Sequence, residues 1–296
     1  MKVFVRIGLA VAFVLFVGLP PPSASAQVGM VPNWWMPNAG APYTLEGRLY
    51  GGSVQASSFG TDFGTGVWGG GLALRVPSDQ LRWQVDVQAE QTGNYSSIAG
   101  NRSYAAGGFH VDWVVRPGSE IGMFAGLQEA APTFSGLPNT NYFLGAEARQ
   151  FYGPLMVGLQ GGYFSNANGA GTLIDAGFVE ARMRWSIGDA FDIGALKYTN
   201  IGLNAGYGSG TSSATMTGAQ TWYWGFSASQ AITGTPFSLT LEFQHFDNNV
   251  SGLGTVWSEN LFMGGVKFVL PNTDTVQRWK EPTVPLPYML RTVTNF

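Results

Sequence analysis

The chain has 296 residues, a formal charge of −3 and no cysteine, and Asp, Glu, Lys and Arg make up only 11% of it. The mild acidity speaks against nucleic acid as a partner, the missing cysteine excludes disulfides and a lipoprotein anchor, and the charge content lies far below the roughly 25% of ordinary soluble domains. Forty-two glycines and 14% aromatic residues, without helical periodicity, are unlike a soluble globular domain.

Residues 1–26 read as a signal peptide. Lys2 and Arg6 form a positive start, Ile7 to Leu19 is an apolar run, and Ala24-Ser25-Ala26 offers small residues for cleavage before Gln27. The run is too short to span a bilayer core of about 30 Å at about 1.5 Å per helical residue. Residues 27–296 then carry a formal charge of −5, from 13 basic and 18 acidic residues. Residues 27–41, with Trp34-Trp35 and several Pro and Asn, read as an N-terminal periplasmic segment.

Between 42 and 270, twelve stretches alternate apolar with small or polar residues. They are 42–52, 66–76, 80–90, 104–115, 120–128, 141–151, 154–164, 173–187, 198–207, 220–230, 236–246 and 260–270. In Leu81–Glu90, Leu81, Trp83, Val85, Val87 and Ala89 share one face, and Arg82, Gln84, Asp86, Gln88 and Glu90 share the other. Successive strand side chains point to opposite faces, so such a strand separates an oily medium from a wet one. Most stretches have the length a tilted strand needs to cross a bilayer. The fold expected is all-β: a transmembrane antiparallel up-and-down β-barrel of 12 strands, with 14 as the alternative.

The connections alternate in length. Short links fall at Pro77-Ser78-Asp79, Arg116–Ser119, Tyr152-Gly153 and Ala231–Thr235. Longer segments rich in Gly, Ser, Asn and Thr fall near 53–65, 91–103, 129–140, 165–172, 208–219 and 247–259. Outer-membrane barrels have short periplasmic turns and longer outside loops, which puts both chain ends in the periplasm. Residues 188–197 break the pattern, because a periplasmic turn there is as long as a loop. Trp83, Trp113, Trp185 and Phe237 mark the inferred periplasmic girdle, and Trp68, Tyr142, Tyr163, Tyr207 and Trp222 the outer one.

Charges within these strands fall on the polar face. The acids are Glu46, Asp86, Glu90, Asp112, Glu120, Glu147, Glu180 and Glu242; the bases are Arg48, Arg75, Arg82, Arg149, Arg182, Arg184 and Lys267. His110 joins them, read as a hydrogen-bonding pair with Asp112. Only Asp175 has the apolar parity. A lipid-facing Arg or Lys at the midplane costs roughly 2–4 kcal/mol, which gives the asymmetry a physical cause. A soluble β-sandwich also alternates, but needs a far more charged exterior.

The pattern over 42–270 resembles Gram-negative outer-membrane β-barrels of the porin-like kind, at the level of the class. The resemblance implies a bacterial outer-membrane location after signal-peptide cleavage. It implies contact with outer-membrane lipids and lipopolysaccharide, insertion by the barrel-assembly machinery, and passage of small polar solutes. Barrels of this class commonly end their last strand in an aromatic residue. Phe262, Gly264, Val266, Phe268 and Leu270 look like that strand, yet residues 271–296 follow, with Pro271, Pro282, Pro285 and Pro287. This tail reads as a periplasmic extension or plug. Alternatively, Tyr288, Leu290, Thr292, Thr294 and Phe296 belong to a closing strand.

The charged residues and His110 named above are the expected pore lining. Two readings of them stay open: a water-filled channel, or acid–base pairs that close the lumen. Glu46 with Arg48, Glu147 with Arg149, and Glu180 with Arg182 lie two apart on one face, which favours local pairing. Inward glycines (Gly69, Gly71, Gly108, Gly122, Gly126, Gly158, Gly162, Gly202, Gly225) leave room. About eight strands are filled by side chains and sixteen leave an open channel. The function expected is a narrow channel for small polar solutes. Arg75, Arg82, Arg182 and Arg184 form a positive constriction that weakly favours anions. The alternative is a non-conducting structural or surface-interaction barrel.

A lipid hydrolase is the remote alternative. The outer-membrane phospholipase of this class uses an outward His-x-Ser pair, whereas here the sequence is His245-Phe246-Asp247, with Ser251 further on. No nucleophile–base pair assembles from neighbours, so no enzyme activity is expected. Asp247-Asn248-Asn249 lacks the spacing of a calcium loop and reads as a polar turn. Gly69-Gly70-Gly71 lacks the Lys-Ser/Thr of a phosphate loop. No cofactor and no metal are expected.

Overall fold

The structure, a computed structural model, describes residues 43–77, 80–94, 101–116, 118–131, 139–166, 173–187, 198–212, 216–233, 235–270 and 283–292. The readings of 1–26 as a signal peptide and of 27–41 as a periplasmic segment lie outside the described residues. So do 271–282, 188–197 and the turn residues Ser78 and Asp79.

Twelve strands follow in chain order: β1 (Thr44–Ser58), β2 (Thr61–Pro77), β3 (Leu81–Thr92), β4 (Ser103–Arg116), β5 (Ser119–Ala131), β6 (Asn139–Tyr152), β7 (Leu155–Asn166), β8 (Leu173–Ser186), β9 (Thr199–Ser212), β10 (Gly218–Ala231), β11 (Phe237–Val250) and β12 (Gly254–Leu270). Each pairs antiparallel with its sequence neighbours, and β1 pairs with β12, so the barrel closes without edges. Closure by β12 leaves no place for a fourteen-strand barrel. Instead, Met289–Thr292 form a single helical turn, α1. No helix among the described residues is long and apolar enough to cross a membrane.

The alternation fixes which way each strand faces. In β3, Gln84, Asp86, Gln88 and Glu90 are buried while Trp83 is 41% exposed. Around the circumference, Leu49, Met123, Leu144 and Leu241 are more than half exposed. Such a belt of bare apolar side chains is stable only against lipid. Both rings of aromatic residues expected from the sequence lie on this outer surface. Trp68 on β2 faces Gln91 of β3, eight residues beyond Trp83, or roughly 26 Å of strand at about 3.3 Å per residue.

The strands run past the far girdle, which corrects the expected loops. Segments 53–65 and 247–259 are mostly strand. β1 and β2 meet in a two-residue turn, Phe59-Gly60, both with positive φ (48° and 77°), the geometry that matches strand twist in a hairpin. β11 and β12 are joined only by Ser251–Leu253. Asp247 and Asn249 therefore face outward on β11, while Asn248 faces inward and accepts a 2.5 Å hydrogen bond from Thr221; the expected polar turn is replaced by strand. The cause is a reversal of polarity. Beyond the girdle, Val54 and Ala56 point inward and Ser53 and Gln55 outward, because the outside is now in water. Asp175, the one charge with apolar parity, sits in a bulge between Ile174 and Gly177 with φ 53° and accepts from Ser165 at 3.0 Å.

A core of inward apolar side chains fills the far half of the barrel. Phe124, Phe143, Phe164, Phe178, Tyr223, Phe246, Trp257 and Leu261 are all buried there, together with Leu286 and Leu290 of the C-terminal segment. The rim that carries the chain ends holds the short turns, with Gly118 (φ 80°) after β4 and Gly153 (φ 58°) after β6.

Candidate functional site

The inner wall brings Glu46, Arg48, Arg75, Arg82, Asp86, Glu90, His110, Asp112, Glu120, Glu147, Arg149, Glu180, Arg182, Arg184, Glu242 and Lys267 onto one surface, in linked clusters. Nearest the chain-end rim, Arg75 donates to Asp112 at 3.2 Å and to Glu120 at 3.1 Å, and Arg149 donates to Asp112 at 3.0 Å. Arg82 and Arg149 also close on Glu120. One level up, the His110 ring lies 2.8 Å from Glu147 and 3.1 Å from Asp86. Gln160 and Gln84 donate to those two carboxylates at 2.6 and 2.7 Å.

On the other side, Lys267 pairs with Glu46 at 2.8 Å and Arg48 donates to Gln88 at 2.8 Å. Arg182 and the Tyr223 hydroxyl both engage Glu180. A cavity of about 240 Å³ opens among them, lined by Glu46, Arg48, Arg149, Arg182, Arg184 and Lys267. Its walls set charges of both signs among apolar side chains such as Met156, Met183 and Leu286.

These partners differ from those read in the sequence. Of the three local pairs, only Glu180–Arg182 forms as such. Glu46 turns to Lys267 of β12 and Arg149 turns to Asp112 and Glu120. Arg149 faces Glu120 directly across the β5–β6 pair, where residues stand about 4.5–5.5 Å apart against roughly 6.6 Å for residues two apart on a strand. Lys267 lies opposite Arg48 and reaches Glu46 on the diagonal. His110 and Asp112 do not pair with each other either. Within the expected positive constriction, Arg75 and Arg82 meet on Glu120, and Arg182 is held by Glu180.

At several inward glycines a neighbour fills the gap, while Gly71, Gly158 and Gly202 line the cavity. A Cβ on Gly108 would strike Leu286, one on Gly126 would strike Phe143, and one on Gly225 would strike Gln244. Each large neighbour fills the gap a glycine provides, as in small barrels whose interior alternates small and large residues. The inward aromatics Phe143 and Phe178 share the parity of the charges on their strands, and Phe164 that of Gln160. That parity is the signal by which the filled far half could have been found.

The C-terminal segment lies inside the barrel. Gln84 clasps Val284 from both sides, donating to its carbonyl at 2.5 Å and accepting from its N–H at 2.9 Å. Arg182 donates to the carbonyls of Pro285 and Leu286 at 2.9 and 3.0 Å. Glu180 accepts the Tyr288 N–H at 2.9 Å, and Gln128 donates to the Leu290 carbonyl at 2.6 Å. Arg182 and Arg291 stack on the Tyr288 ring at 5.2 and 5.4 Å.

Arg291 ends the segment in a second ionic cluster. It reaches Glu90 at 3.0 Å and Glu242 at 3.1 Å, while Arg102 joins Glu90 at 3.4 Å and Glu259 at 2.8 Å. Sequence reasoning missed Arg102, Glu259 and Arg291, because all three lay in segments read as loop or tail. On the outer surface, His245 lies 2.8 Å from Asn260 and 3.0 Å from Asp247; the position two residues beyond the histidine holds a carboxylate and no hydroxyl. Among the described residues no group of three or more His, Cys, Asp or Glu is placed to hold a metal.

No protein family matches the chain by sequence, and no curated protein does. Solved structures do match. An outer-membrane channel from Pseudomonas putida F1 has 14% identity and a TM-score of 0.56, over 81% of this chain and 99% of that one. OccK7 (OpdD) from Pseudomonas aeruginosa has 10% identity and a TM-score of 0.41, over 77% and 99%. A BenF-like porin from Pseudomonas fluorescens Pf-5 has 7% identity and a TM-score of 0.41, over 78% and 99%. The likeness to the first is one of fold: this chain folds as a closed antiparallel barrel similar to that of an outer-membrane channel.

Proposed function

We propose that the protein is a passive outer-membrane channel for small polar solutes, held closed in this state by its own C-terminal segment. The observation that carries the reading is the lodging of residues 283–292 inside the barrel by hydrogen bonds to the wall. Twelve strands enclose more room than side chains alone fill at about eight. Here part of that room is taken by a segment that belongs to no strand and pairs with none. Against it lies the cavity that Arg48, Arg184 and Lys267 help to line. The fold shared with a known channel supports the same reading.

Short turns and both barrel ends share one rim, which this reading places in the periplasm. The long hairpins then face outward, and the apolar belt meets lipid and lipopolysaccharide. Export by a cleaved signal peptide and insertion by the assembly machinery complete the proposal. A tag in the turn Ser251–Leu253 is then reachable on intact cells, and one at Gly153 is not.

A second reading, a non-conducting barrel, draws on the far-half core. Phe124 lies 6.4 Å from Phe143 and 6.2 Å from Phe178, ring centre to ring centre. Swelling of liposomes carrying the purified protein in small sugars separates the two. The channel admits solute at a rate that rises once the segment is removed; the structural barrel admits none in either form.

A further inference from the structure

The hydrogen bonds between the wall and residues 284–290 share one property: they address the main chain. Gln84 offers both a donor and an acceptor to one residue, Val284, as a neighbouring strand would. Arg182 spans two successive carbonyls, those of Pro285 and Leu286. Gln160 adds a donor to the Pro285 carbonyl at 3.4 Å. Glu180 supplies an acceptor at Tyr288 and Gln128 a donor at Leu290.

We propose that the inner wall is a binding site for an extended peptide main chain. Residues 283–290 are its tethered occupant, and short oligopeptides are the solutes that compete for it. The solute part rests on the channel reading given above; the binding site does not.

The chemistry of the occupant fits. Between Val284 and Tyr288, whose N–H groups the wall meets, Pro285 and Pro287 have no N–H to satisfy. Proline also presets an extended backbone, so less freedom is lost on binding. Side chains are selected as well: Val284 is buried, and Tyr288 stacks against Arg182 and Tyr223. Leu286 and Leu290 are buried, and Leu286 occupies the gap left by Gly108. The ligand class is therefore an extended peptide with proline flanking a central leucine-sized residue. A sugar of equal length presents hydroxyls but no amide pair for Gln84.

The test uses the full chain. A protease site placed within 271–282 is cleaved after folding and purification, with a fluorophore at the C-terminus. Exchange of the cut segment is followed with three probes: a synthetic peptide of the sequence 283–292, the same residues with both prolines moved, and maltohexaose. The first should displace the labelled segment, the second should do so at least tenfold less well, and maltohexaose should not. Gln84→Ala, and independently Gln128→Ala, should each speed release of the segment about tenfold or less, with barrel folding confirmed by heat-modifiable gel migration.

Displacement by maltohexaose as readily as by peptide, or release unaltered in both folded variants, overturns the site. Currents through the cut protein decide the remainder. If it conducts and the peptide blocks, the proposal holds in full. If peptide binds but nothing conducts, the site stands and the solute assignment falls with the channel. If it conducts and peptide neither binds nor blocks, the channel stands and the peptide site falls.

Discussion

The Arg291 guanidinium lies 3.0 Å from the Glu90 carboxylate, with side-chain exposures of only 4% and 1%. The same group reaches Glu242 at 3.1 Å and the hydroxyls of Tyr50 and Tyr104 at 3.2 Å. One residue of the tail thus engages β1, β3, β4 and β11 together. Removing one partner of a buried pair costs about 3–5 kcal/mol, because the other is left uncompensated.

Arg291→Gln should therefore loosen the segment without unfolding the barrel, whose closure does not use it. Limited proteolysis checks this. Cleavage between 283 and 292 should accelerate at least tenfold while the barrel itself stays resistant. Equal cleavage of variant and parent would mean that the ionic cluster does not hold the segment.

Glu120 accepts from Arg75 at 3.1 Å and also meets Arg82 and Arg149. In Glu120→Gln three guanidinium groups lose a shared counter-charge in a buried place. The barrel should be destabilised by about 3 kcal/mol or more, read as a lower midpoint of denaturant unfolding in detergent. Glu46→Gln is the contrast. Its pair with Lys267 keeps 17–18% side-chain exposure, so the loss should stay near 1 kcal/mol. A larger effect at Glu46 than at Glu120 would contradict the burial argument.

Leu49, 71% exposed in the apolar belt, and Ser227, which lines the inner cavity, test the two faces. Leu49→Arg places a charge in lipid at a cost of roughly 2–4 kcal/mol and should reduce assembled barrel in outer-membrane fractions. Ser227→Arg should assemble at the parental level. Equal yields would refute the assignment of faces.

Facing was legible in the sequence because period-two alternation follows directly from strand geometry: Val85 and Asp86 could be assigned without knowing any partner. Strand length was not legible beyond the far girdle. There the medium outside changes from lipid to water, so Ser53 and Gln55 turn outward and their polar character imitates a loop. Partners were also hidden. Arg149 sits two residues from Glu147, yet bonds to Glu120 across the β5–β6 pair and to Asp112 on β4, a choice set by register and barrel curvature. Hardest to see was Arg291. A tail after the last strand carries no periodicity, and its destination depends on a lumen that exists only once the barrel closes.

Planar-bilayer recording before and after proteolytic removal of the tail, at a site engineered within 271–282, asks whether residues 283–292 close a pore. The intact protein should show rare or no openings, and the cut protein should show sustained conductance steps at the same protein concentration. Silence from the cut, heat-modifiable barrel would contradict the claim, as would steps of unchanged size and frequency before and after cutting.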